Sequence, residues 1–107
     1  MHAVGYFVER ARKHRADLKV LLEKHEARCP AGELKASARA IKAALKDDVR
    51  LGQRETLSGE DSDAFRAIFS AASHLGSVLT HGVDSQQWIS DVFVAESDLS
   101  IWDCERR

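Results

Sequence analysis

The stretch from Ser58 to Gly82 constrains the fold more than any other part of the chain. At about 100° per residue, Ala64, Phe65, Ile68, Phe69, Ala71, Ala72, Leu75, Val78 and Leu79 fall in one half of a helical wheel. That apolar arc is wider than the stripe of an ordinary surface helix. The remainder carries Arg66, Ser70, Ser73, His74, Ser77, Thr80 and His81, with a single obligate charge. Small hydroxyl side chains let another backbone come close. The pattern therefore predicts a central, most-buried helix with a second contact on its serine face, or else a solvated serine face. Self-association through that face would fill the contact. Ser58, with Ser62 as a rival one turn later, is the capping candidate at the start. Glu60 and Asp61 suit the positive end of the helix dipole, and Gly82 suits the stop.

Three further segments share the helical period. Residues 3–28 carry Val4, Phe7, Ala11, Leu18 and Leu21 at alternating three- and four-residue steps, with Val8 and Leu22 alongside. His14 and His25 occupy the same seam. Cys29-Pro30-Ala31-Gly32 breaks the pattern, and Pro30 is the chain's one proline. Residues 33–50 form a second helix with Leu34, Ala38, Ile41 and Leu45 as its core stripe. Asp84 with Gln87 fits a capping box for a fourth helix, Ser85 being the neighbouring alternative. Trp88, Ile89, Val92, Phe93 and Ala95 give that helix its apolar face. From Glu96 to Arg107 the pattern is read as a short tail, docked through Leu99, Ile101 and Trp102 or extended as an arm. The expected fold is all-α: one domain over 1–107, a compact bundle of four mostly antiparallel helices. Leu18, Leu21, Ile41, Leu45, Phe65, Ile68, Phe69, Leu75, Leu79, Trp88 and Val92 are its expected core.

Charge is distributed unevenly. The formal net charge is −1. Met1 to Thr56 holds thirteen Lys or Arg against eight Asp or Glu, while Leu57 to Arg107 holds three against nine. Such asymmetry means two functional surfaces, halves that pack on each other, or subunits that pair head to tail. No apolar run reaches the length that spans a bilayer, and no apolar signal segment opens the chain, so the expected place is the cytoplasm. There, Cys29 and Cys104 are expected as free thiols.

Candidate chemistry is sparse. There is no phosphate-binding glycine loop, nucleophile elbow or metalloprotease helix, and no Cys/His spacing suited to zinc. Level counting places His25 beside His81, and His14 within a turn of His74, if the first and third helices run parallel. Without a Glu-x-x-His motif, these histidines read as polar seam residues bonding across a bundle rather than as metal ligands. Neither a cofactor nor a metal is expected, nor is an enzyme.

Two surfaces remain. Asp91, Glu96, Asp98, Trp102 and Asp103 combine carboxylates with an aromatic anchor, which suits a basic partner protein. On this reading the chain is a non-enzymatic binding module of the inhibitor, immunity or adaptor kind, its partner a basic toxin or nuclease. The alternative uses Lys35, Arg39, Lys42 and Lys46, a ridge at steps of four, three and four, to hold nucleic acid or a nucleotide. That ridge carries no aromatic residue of its own to stack bases.

Overall fold

The computed structural model describes residues 4–105. Its helices are α1 (Tyr6–Glu26), α2 (Ala31–Gln53), α3 (Gly59–His74) and α4 (Gln86–Glu105), with a 3₁₀ turn at Val78–Thr80 between the last two. No strand occurs among the described residues, and no described helix is long and apolar enough to cross a membrane.

Pairs at the helix ends fix the topology. Lys24 meets Glu33 at one end of α1 and α2, and Arg10 meets Asp48 towards the other, so the two helices are antiparallel. Lys42 reaches the Gly76 carbonyl beyond the end of α3, and Gly52 packs on Phe65 near its start, which makes α2 and α3 antiparallel as well. Ser70 and His74 share Asp98, and Arg15 meets both Glu96 and Asp103, so α4 runs against both α3 and α1. The bundle is therefore up-down-up-down. α1 and α3 each pack on the other three helices, while α2 and α4 lie on opposite sides and do not touch among the described residues.

Helix ends follow from local chemistry. α1 stops where Arg28 takes a left-handed φ of 60°. The Cys29 N–H then donates to the Lys24 carbonyl and the Arg28 N–H to the His25 carbonyl, a Schellman closure that satisfies otherwise free acceptors. Pro30 follows as the N-cap residue of α2. At the start of α1, Gly5 is left-handed at φ 89°, which lets the Asp61 carboxylate of α3 accept from the N–H groups of Gly5, Phe7 and Val8. An α3 side chain thus caps α1. Ser58 holds the N-cap position of α3 without a side-chain hydrogen bond. At α4 the capping bond comes from Ser85, whose Oγ accepts from the Trp88 N–H.

Three expectations are corrected. The central helix ends at His74 instead of reaching Gly82. Gly76 and Ser77 are poor helix formers, and the chain tightens into the 3₁₀ turn while Leu75 and Val78 stay fully buried. The tail is not a tail, because α4 continues through Glu105. Trp88, Val92, Ala95, Leu99 and Trp102 repeat at steps of four, three, four and three, one unbroken buried seam. Finally, Phe69 and Leu79 are exposed at 47% and 37%, and Phe65 is only partly buried. The apolar arc of α3 is wider than the core it faces. Phe65 closes over Gly52, where a Cβ would overlap its ring, and Phe69 is left at the rim. The other expected core residues are buried, and the serine face of α3 does make a second contact, onto α4.

Candidate functional site

The acidic residues singled out in the last third turn inward. Asp103 is 5% exposed and accepts from Arg12 Nε (3.4 Å) and Arg15 Nη1 (2.7 Å) of α1. Glu96 lies 3.8 Å from the Arg15 guanidinium. Asp98 accepts from Ser70 Oγ (3.0 Å) and His74 Nδ1 (2.5 Å). Asp91 accepts from Gln87 at 2.9 Å and lies 3.9 Å from His81. Trp102 is buried at 7% exposure. Of the five positions expected to form an acidic surface, Trp102 and Asp103 are buried, while Asp91, Glu96 and Asp98 are half-buried and already meet donors of the fold. Asp103 and Glu96 meet cations of the basic half on α1, whereas Asp98 meets α3 and Asp91 meets Gln87 and the turn after α3, all within the acidic half.

The histidines behave similarly. His14 is fully buried, and its Nε2–H donates to Asp48 Oδ2 at 2.5 Å, where Arg10 Nε also donates at 2.9 Å. Burial pushes the Asp48 carboxyl up, but the hydrogen bonds and positive charge of His14 and Arg10 outweigh it and hold it below the ordinary 3.8. His25 stacks on Trp88 and donates to the Val83 carbonyl at 3.1 Å. His14, His25, His74 and His81 each meet a carboxylate or a carbonyl, as polar seam residues would. Among the described residues, no group of three or more His, Cys, Asp or Glu is placed to hold a metal. Cys29 and Cys104 are free thiols.

Exposed cations without an ion-pair partner among the described residues include Lys19, Arg28, Arg54 and Arg66, and a row of them lies on α2. Lys35, Arg39 and Lys46 are exposed, with no ion-pair partner among the described residues. Lys42 Nζ donates to the Gly76 carbonyl at 2.6 Å, and among the described residues Arg50 has only the exposed Asp47 at 3.9 Å. The ridge occupies the flank of α2 that faces α3. Along that flank runs a groove of about 260 Å³, lined by Lys46, Val49 and Arg50 of α2 and by Phe69, Ala72 and Ser73 of α3. The fold thus supplies from α3 the aromatic side chain that α2 lacks. Sequence reasoning missed Phe69 here because its wheel position belongs to the apolar arc, and nothing local says that the arc overhangs the core.

By contrast, the groove between α1 and α2 carries charges of both signs, with Asp17 and Lys24 in its lining and Asp17 bonded to Lys13. Comparison of the chain with protein-family models, curated proteins and solved structures finds no match.

Proposed function

We propose that this protein is a non-enzymatic binding module, of the adaptor or inhibitor kind, whose working surface is the α2 flank facing α3, and that its partner is an acidic protein. One observation carries the reading: four cations in a row, extended by Arg50, have no carboxylate from another helix among the described residues, while Asp48, Asp61, Asp98 and Asp103 are engaged across the bundle. Like charges at helical spacing repel one another, so this row costs stability unless something outside the chain offsets it. A partner's carboxylates would do so and would steer encounter. The acidic partner replaces the basic one expected from the sequence, since the residues meant to meet a basic partner are committed within the fold.

Nucleic acid is the second reading, favoured by Phe69 beside the cations as a stacking platform. Affinity purification from a native lysate separates the two, using wild type and a Lys35→Glu/Arg39→Glu/Lys46→Glu variant. An acidic protein held by wild type, released by salt and lost by the variant supports the proposal. A basic protein held equally by both contradicts it. A high 260/280 nm absorbance ratio that the variant loses favours nucleic acid.

A further inference from the structure

We propose that the α2–α3 groove receives an acidic amphipathic helix of the partner protein, laid along α2. This rests on the reading of the α2 flank as the working surface and adds what occupies it. The first ground is spacing. Lys35, Arg39, Lys42 and Lys46 advance by four, three and four residues, about 16 Å in all at 1.5 Å per residue. A helix lying alongside presents carboxylates at the same intervals when they fall at i, i+4, i+7 and i+11.

The second ground is the apolar wall. Val49, Phe69 and Ala72 lie beside Lys46 and Arg50, at the end of the row nearest the C-terminus of α2, and Phe69 is nearly half exposed. Its ring is backed on one side by Phe65, centroids 6.3 Å apart. A trough between two antiparallel helices is where a third helix seats its ridge of side chains. An amphipathic helix fills such a trough with its apolar stripe while its acidic stripe meets the row. A phosphodiester chain meets the row and uses the wall only where a base stacks on Phe69, which leaves Val49 and Ala72 against water.

The third ground is charge sign. The charged residues lining the α2–α3 groove, Lys46 and Arg50, are both cations, whereas the α1–α2 groove carries both signs, internally paired in part. Only the former selects its occupant by charge. The exposed Phe93 and Ile101 on α4 select nothing in this way, since no basic residue lies on α4.

The test is fluorescence anisotropy with a labelled, helix-stabilised peptide of about 16 residues, long enough for a stable helix. It carries Glu at i, i+4, i+7 and i+11 and Leu on the adjoining stripe. A peptide of the same composition in scrambled order and a short DNA duplex are run beside it. The patterned peptide is expected to bind about tenfold more tightly than the scramble. Lys46→Glu with Arg50→Glu should weaken it at least about tenfold and flatten its salt dependence. Phe69→Ala should weaken it about fivefold and leave the salt dependence unchanged. Phe69 is exposed enough for that variant to fold, which circular dichroism checks. Equal binding of the scramble, lost in the charge variant, overturns the helix and leaves the acidic-partner reading intact. Tighter binding of the duplex, with a salt slope of about −0.9 per phosphate contacted, assigns the groove to nucleic acid. Absence of any binding that the α2 substitutions alter overturns both.

Discussion

Lys46 and Asp48 lie two residues apart on α2, and the fold treats them in opposite ways. Asp48 points inward, 4% exposed, and takes hydrogen bonds from His14 and Arg10 of α1. Lys46 points outward and is met by nothing among the described residues. The same contrast runs through the molecule. Asp61, Asp98 and Asp103 each join one helix to another, while the cations of α2 form a row without carboxylate partners from other helices. Charges of the first kind are parts of the fold, because a buried ion without its partner carries a desolvation cost. Charges of the second kind contribute repulsion to the fold, so their use lies outside it.

Removing one inner carboxylate should have the largest effect. Asp48→Ala leaves His14 and Arg10 facing a gap in the bundle and should lower unfolding stability by about 3 kcal/mol, read from urea titration at neutral pH. A loss below about 1 kcal/mol would place Asp48 with the surface charges and blur the contrast.

Acid should weaken the same link. The folded Asp48 pKa lies below the ordinary aspartate value, so its contribution is complete above about pH 4 and is lost as pH falls through the lower folded value. The stability gap between wild type and Asp48→Asn should therefore narrow as pH falls from about 4 towards 2. A gap that stays constant across that range would break the assignment.

Asp61→Ala should cost about 1–2 kcal/mol, because the N–H groups of Gly5, Phe7 and Val8 lose their acceptor. Hydrogen exchange should speed at those amides before it speeds at the centre of α1. Uniform acceleration along α1 would show that the cap is not a local device.

The smallest effect belongs to the outer row. Replacing Lys35, Arg39 and Lys46 together by Gln should change stability by no more than about 0.5 kcal/mol, with any change favourable at low salt as repulsion is relieved. A clear destabilisation in thermal melts would mean that the row is held by the fold after all.

The parts of this architecture legible in the sequence are those set by period. Leu34, Ala38, Ile41 and Leu45 declare the inner face of α2, and the ridge beyond them is read from the same wheel. The run of α4 to Glu105 was also written there, in the four-three steps from Trp88 to Trp102, but reading the seam only to Ala95 turned its second half into a tail. Other features depend on what lies opposite in space. Nothing near Asp61 in sequence says that it caps α1 from 56 positions away, and nothing near Asp103 says that Arg12 and Arg15 will cover it. A carboxylate reads the same on a wheel whether solvent or a guanidinium faces it. For that reason the acidic third reads as a surface in the sequence, although Arg12 and Arg15 of α1 cover Asp103.

A two-dimensional ¹H–¹⁵N NMR titration of the whole protein with the patterned acidic peptide tests most directly whether the unpaired row is the working surface. The result expected is a set of shifts confined to α2 and the facing side of α3, at Lys42, Lys46, Arg50, Phe69 and Ser73, with the amides around Asp48 and Asp103 unmoved. Shifts centred instead on Arg12 and Arg15, or on Phe93 and Ile101, would contradict it, because binding would then draw on the α1–α4 side of the bundle and the α2 row would have no part in it.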